Sequence, residues 1–295
     1  MRILKDTHVD FIKFTKNAAI ISAVIILAGL ISVFAIRGLN FGIDFSGGTL
    51  IQLQFENPIT SSDIRSDLAG VNLDKSVIQQ LGGDNEFLIR VAEHPGDLDA
   101  QEEVESTLKK RNNPYTILKT EKVGPQIGAE LRKSAVKAIL WAIFWIAVYI
   151  TFRFEFRFAM GAVVALIHDV LFTLGIFSFL QLEISVSTIA AFLTIVGYSL
   201  NDTIVLFDRV RENRKKHKRL DIATLVNNSI NQTISRTIIT SLTTLVVVIV
   251  LAFSKGEIQI FAFTMIIGVI VGTYSSIFIA GPVVIEWEKR LQNKK

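Results

Sequence analysis

Residues 186 to 207 read VSTIAAFLTIVGYSLNDTIVLF, an apolar run long enough for a helix to cross a hydrocarbon core about 30 Å thick. Within it, Gly197-Tyr198-Ser199-Leu200-Asn201-Asp202-Thr203 sets a carboxyl, an amide and several hydroxyls at membrane depth. An acid at the centre of a span costs about 2.5 to 3.5 kcal/mol on insertion scales, so this helix must face protein, water or a partner rather than lipid alone. Five more windows meet the same length requirement, near 17 to 36, 134 to 152, 159 to 180, 234 to 253 and 261 to 283. The chain is read as a membrane α-helical protein of six spans. Composition agrees, with 50% hydrophobic residues among 295 and a mean hydropathy of +0.45.

Before the first window stand Lys13 and Lys16, and Val33-Phe34-Ala35 loosely imitates a signal-peptide cleavage site. The apolar stretch exceeds a signal h-region, so an uncleaved anchor is expected. Basic residues near the spans set orientation, because Lys- and Arg-rich loops stay cytoplasmic. Four lie in 1 to 16, two in 153 to 158, seven in 208 to 232 and four in 284 to 295, against none in 181 to 185 and one in 254 to 260. Both terminal segments, 1 to 16 and 284 to 295, are therefore expected in the cytoplasm. A basic balance of 31 to 27 and a pI near 9.2 follow from this topology, and no nucleic-acid partner is expected.

The long segment from 37 to 123 carries nine basic and fourteen acidic residues and falls on the extracytoplasmic side, within an inter-span region of 37 to 133. Its pattern is that of a folded domain. Thr49 to Phe55 alternates as a strand, and Ser61 to Ala69 forms a helix after Pro58 and Thr60. Ser76 to Leu81 and Glu86 to Ala92 are strands around Gly82-Gly83-Asp84-Asn85, Asp97 to Arg111 an amphipathic helix and Tyr115 to Val123 a last strand. The order βαββαβ is a ferredoxin-like α+β arrangement.

Three ionisable residues fall inside spans: Asp169 beside His168, Asp202, and Arg236. Each has a structural reading, as a buried hydrogen-bonding unit for Asp169 and as a snorkelling cation for Arg236. Asp202 carries the stronger functional reading, because Ser199, Asn201 and Thr203 surround it and could hold water. The fifth span adds Ser235, Thr237, Thr240, Ser241, Thr243 and Thr244, either interhelical bonding groups or a polar path. Gly268, Gly272, Ser276 and Ala280 recur every four residues on the sixth span, a stripe for close helix approach. His8, His94 and His217 are scattered, cysteine is absent, and no metal-ligand spacing, phosphate loop or Ser-His-Asp order occurs. No cofactor and no enzyme activity are expected.

Three stretches resemble the SecF branch of the SecD/SecF family in the resistance-nodulation-division superfamily. They are Gly42-Ile43-Asp44-Phe45-Ser46-Gly47-Gly48-Thr49, Val123-Gly124-Pro125-Gln126-Ile127-Gly128, and Val196 to Asn213 ending Asp208-Arg209-Val210-Arg211-Glu212-Asn213. Ser229 to Thr244 is similar to the family's fifth-span entry, while Ser46 stands where Thr is common. The resemblance implies a periplasmic domain and a multi-pass protein of the bacterial inner membrane. It implies a subunit that assists preprotein translocation and release with the proton motive force, partnered by SecD, the SecYEG channel and YajC, and in contact with preprotein, protons and membrane lipid. By position, Asp202 and Arg236 match the family's proton-relay pair and Asp169 its His-Asp pair, with Ser199, Asn201, Thr203 and Thr237 as supporting polar groups. Gly42, Gly47, Gly48 and Gly124 are expected to allow hinges or tight turns. The alternatives are a small-molecule or lipid exporter half-unit, as elsewhere in that superfamily, and a scaffold whose buried charges only assemble a complex.

Overall fold

A computed structural model describes residues 7–71, 73, 76–81, 83, 85–92 and 100–292. Gly82, Asp84, His94 and the helix start at Asp97 lie outside the described residues. The first helix, α1 (Phe11–Ile31), starts on an Asp10 cap that accepts from the Lys13 amide and continues as a π turn over Ser32–Ile36. After β1 (Asn40–Phe41) and the single turn α2 (Ile43–Ser46) comes the α+β domain. It comprises β2 (Gly48–Phe55), α3 (Ser61–Ala69), β3 (Val77–Gln80), β4 (Glu86–Val91), α4 (Ala100–Lys109) and β5 (Tyr115–Val123).

The four strands pair in the order β3-β4-β2-β5, all antiparallel, as the βαββαβ pattern requires. Alternation builds the core: Ile51, Leu53 and Phe55 from β2 and Phe87, Ile89 and Val91 from β4 point to one face. Ile64 and Leu68 of α3 and Val104 and Leu108 of α4 cover it. Helix α3 begins in a reciprocal capping box between Thr60 and Asp63.

The remaining helices are α5 (Pro125–Arg153), α6 (Phe156–Leu180), α7 (Val186–Lys216), α8 (Ile222–Ala252), α9 (Glu257–Ser275) and α10 (Gly281–Gln292). A two-residue strand, β6 (Glu183–Ile184), lies between α6 and α7, and a π turn over Ser276–Ala280 joins α9 to α10. Six helices are long and apolar enough to cross a membrane, and alternation places the α+β domain at one end of the bundle and residues 7 and 292 at the other. The helices outrun their apolar windows because their ends are capped and charged for water. At 31 residues α7 is roughly 46 Å long, and Arg214, Lys215 and Lys216 in its last turn complement the helix dipole. At that same end Glu288 is buried between Arg157 and Arg214, tying α10 to α6 and α7.

Helices α7 and α9 form the central pair, with Gly268 and Gly272 of the small-residue stripe in their seam, while Ala280 meets Gly161 of α6. A Cβ on Gly272 would lie 2.8 Å from the Ser199 Cβ, and one on Gly268 would collide with Ile195. A second close approach packs Gly29 of α1 on Gly175 of α6, where an added Cβ would come within 2.7 Å of backbone. Gly272→Leu should therefore force α9 off α7 and cost about 1–3 kcal/mol by overpacking. Heat-induced aggregation of the detergent-solubilised protein should begin at a lower temperature than for the wild type.

Candidate functional site

Asp202 sits on the face of α7 that turns toward α8 and the π turn, and only 4% of it is exposed. Its Oδ2 has no hydrogen-bond partner among the described residues. Beside it is a void of about 10 Å³, lined by Leu206, Ile230, Thr233, Ile234, Thr237, Ser276 and Ile277. That is room for about one water.

Arg236 occupies the same stretch of α8 but turns elsewhere. It is exposed and lines a polar cavity of about 1070 Å³ with Arg209, Lys216, His217 and Asn231, opposite the α+β domain. No ion pair joins it to Asp202: Thr233 and Thr237, one turn apart, face the carboxyl, and Arg236 lies about 100° around the helix from Thr237. Thr240 connects the two environments, since it lines the large cavity and approaches the Asp202 carboxyl. Its hydroxyl hydrogen is shared between the Arg236 and Thr237 carbonyls of its own helix. Thr243 and Thr244 donate to carbonyls of their own helix, and Ser241 bonds Thr273 of α9 at 2.7 Å.

The other intramembrane acid is set differently. Asp169 is 1% exposed and both its oxygens are engaged. Oδ2 accepts from Ser199 of α7 at 2.6 Å and from Ser275 of α9 at 2.9 Å, while Oδ1 lies 3.0 Å from His168 Nδ1. The chain of bonds runs on from His168 Nε2 to Ser22 of α1 at 3.1 Å, from Ser22 to the Tyr274 hydroxyl at 2.9 Å, and from that hydroxyl to the Ala18 carbonyl at 2.8 Å. Counting protons fixes the pattern. Tyr274 spends its only hydrogen on a carbonyl, so Ser22 donates to Tyr274 and His168 Nε2 donates to Ser22. The Nδ1 to Oδ1 contact then needs a hydrogen of its own, so His168 and Asp169 together form a net-neutral pair sharing one proton.

The expected supporting residues therefore divide. Ser199 serves Asp169, Thr203 donates to the Ser199 carbonyl, Thr237 lines the Asp202 void, and Asn201 is exposed on another face of α7. Among the glycines, Gly47 (φ 77°) and Gly48 (φ 136°) hold conformations that a side chain resists. Gly42 and Gly124 have φ of −67°, which any residue adopts. At Gly42 the need is space, since a Cβ would strike the Glu183 carboxyl, whereas Gly124 stands in the open as the N-cap of α5. Sequence reasoning missed Ser22, Tyr274 and Ser275. Ser275 could have been suspected from its place next to the small-residue stripe.

Residues 103–290 match the family described as Protein export membrane protein SecD/SecF, C-terminal, and residues 32–59 match the SecD/SecF GG motif. The protein translocase subunit SecF of Desulfurispirillum indicum is 45% identical, covering 97% of this chain and 94% of the relative. That of Magnetococcus marinus is 48% identical, covering 96% and 93%. Among solved structures, SecDF from Thermus thermophilus, a translocon-associated membrane protein, superposes with a TM-score of 0.86 at 39% identity, covering 96% of this chain. A super-membrane-facing form of SecDF gives 0.74 at 38% identity. The chain spans about two fifths of those SecDF chains, 39% and 40% of their length. With the GG motif turned at Gly47 and Gly48 and near-full-length identity to SecF subunits, the chain belongs to the SecD/SecF family of protein export membrane proteins, as a SecF-type translocase subunit.

Proposed function

We propose that this chain works with SecD beside the SecYEG channel and uses protons moving through Asp202 to drive preprotein export, with the α+β domain in the periplasm and both termini in the cytoplasm. The observation that carries the reading is the Asp202 carboxyl, buried beside a water-sized void and set off from a large polar cavity by Thr240. The basic stretch from 208 to 232 rims that cavity, which under the positive-inside rule supports reading it as the cytoplasmic vestibule. A proton reaching Asp202 from the periplasm would leave through it. Charged Asp202 draws Arg236 inward, and protonated Asp202 releases it, repacking α7 and α8 and shifting the domain through α1 and α5. The outward-turned Arg236 corresponds to the released arm of that cycle. Asp169 is a lesser candidate in the relay, because its oxygens are already occupied. Identity to SecF subunits over nearly the whole chain favours this reading over an exporter half-unit.

Inverted membrane vesicles test it, with export measured with and without a proton gradient. Arg236→Lys keeps the charge and loses the planar fork. Gradient-dependent export should fall about tenfold, the equivalent of one charge-assisted hydrogen bond of about 1.5 kcal/mol. Unchanged stimulation in this variant would remove the planar fork of Arg236 from the relay and leave only its charge, and gradient-independent export in the wild type would remove the relay itself.

A further inference from the structure

Residues 7 to 11, which lead into α1, lie along α8 and are bound there by two asparagines one helical turn apart. Asn231 grips Val9 at both ends of its backbone: its Oδ1 accepts from the Val9 amide at 2.9 Å, and its Nδ2 donates to the Val9 carbonyl at 2.8 Å. Asn227 donates to the same carbonyl at 3.1 Å and accepts from the Phe11 amide at 2.9 Å, one of the amides that the start of α1 leaves without a helical partner. The Thr7 hydroxyl adds a bond to the Asn231 carbonyl at 3.1 Å. A spacing of four puts both side chains on one face of α8, and a carboxamide offers donor and acceptor side by side, as a neighbouring strand would. Among the described residues, the other side-chain hydrogen bonds leaving α1 and its π turn go to α6 and α9. They run from Ser22 to His168 and Tyr274, from Tyr274 to the Ala18 carbonyl, and between Ser32 and Ser178. Neither of those helices carries Asp202 or Arg236.

We propose that Asn227 and Asn231 are the positioning residues that make α1 follow α8, so that a shift of α8 at the Asp202 site reaches the α+β domain. The arrangement is that of a lever. Asn231 lies roughly 7.5 Å along α8 from Arg236, so the clamp sits on the part of the helix that the relay moves. On α1 the clamp takes the end at Phe11. The Ser22 bonds, roughly 17 Å along the helix, and the packing of Gly29 on Gly175, roughly 27 Å along, hold the rest against α6 and α9. When α8 shifts, the clamped end of α1 goes with it and the helix tilts about its held part. Beyond the π turn the chain enters the joint between domain and bundle. There β1 pairs in parallel with β6, Asp44 accepts from the Val186 amide at 2.9 Å, and Arg90 of β4 pairs with Glu183. The tilt is delivered to that joint. Without the two asparagines, α8 slides past α1 and the domain stays in place. This coupling rests on the proton-driven reading above.

The test uses the full chain, which has no native cysteine, together with SecD in inverted membrane vesicles. Val9→Cys and Asn231→Cys are combined with Asn227→Ala, which removes both carboxamides of the clamp, and a short bis-methanethiosulfonate linker then rejoins position 9 to position 231. Before linking, the stimulation of export by a proton gradient should fall to the level seen with a protonophore. Linking, followed by the loss of free thiols, should restore it, and the cysteine-free wild type treated with the linker should keep its stimulation. The linker returns the tie and not the amides, so a role of Asn231 in the polar cavity itself would go unrescued. Stimulation that survives in the unlinked protein overturns the coupling, and so does stimulation that stays lost after complete linking. Asn231→Asp keeps the acceptor for the Val9 amide and turns the donor into a charge facing the Val9 carbonyl. It carries the test alone if the unlinked protein no longer co-purifies with SecD, and unchanged stimulation in it overturns the coupling. Asp202→Asn is measured beside these variants. Stimulation kept in Asp202→Asn but lost in the unlinked protein fells the relay and leaves the coupling, and the reverse fells the coupling alone.

Discussion

Asp202→Asn is expected to abolish the stimulation of export by the proton gradient while leaving the protein assembled and stable. The substitution is nearly isosteric, and its site forgives it. Asp202 Oδ2 has no hydrogen-bond partner among the described residues, so an amide put there breaks no existing bond, and the adjoining void of about 10 Å³ can hold the water it needs. What the amide cannot do is take up and release a proton. Moving one elementary charge through 100 mV is worth about 2.3 kcal/mol, a bias of roughly fiftyfold on a two-state equilibrium. Losing that bias should bring export in energised vesicles down to the level seen with a protonophore, with no change in the protein's abundance in the membrane or its co-purification with SecD. Full stimulation retained by the variant would sink the relay.

The spans and the βαββαβ domain were legible because both rest on short-range periodicity, and the inward alternation of Ile51, Leu53 and Phe55 against Phe87, Ile89 and Val91 repeats the period of two. Strands β1 and β6 escaped because each is two residues long and the pairing joins segments far apart in sequence. The same holds for Asp44 on Val186 and Arg90 on Glu183: nothing local to Glu183 marks its partner. Arg236 was ambiguous for a different reason. A long cationic side chain at a helix entry can turn into the bundle or out to a polar cavity, and only the packing of Thr233 and Thr237 against Asp202 shows that it turns out. The polar neighbours of Asp202 put it ahead of Asp169 already in the sequence. Their surroundings separate them, one with a free oxygen and a void, the other with every oxygen engaged.

That contrast sets the last expectation, in which two substitutions of Asp169 part company. Asp169→Leu leaves the Ser199 hydroxyl and His168 Nδ1 buried without their acceptor and partner and Ser275 with the Gly272 carbonyl alone, in a knot that binds α1, α6, α7 and α9. Breaking a buried pair of this kind costs about 3–5 kcal/mol, and the detergent-solubilised variant should aggregate at a markedly lower temperature. Asp169→Asn can reproduce the whole pattern. Its Oδ1 accepts from both serines, its Nδ2 donates to His168 Nδ1, and the imidazole keeps its Nε2 hydrogen for Ser22, so the shared proton disappears while every heavy-atom contact survives. One amide hydrogen is left over, at a cost of about 1 kcal/mol. If the pair is a clamp that positions α7, Asp169→Asn should therefore keep both thermal stability and gradient-driven export, unlike Asp202→Asn. Loss of stimulation in a stable Asp169→Asn protein would instead assign the shared proton of His168 and Asp169 to the transport path.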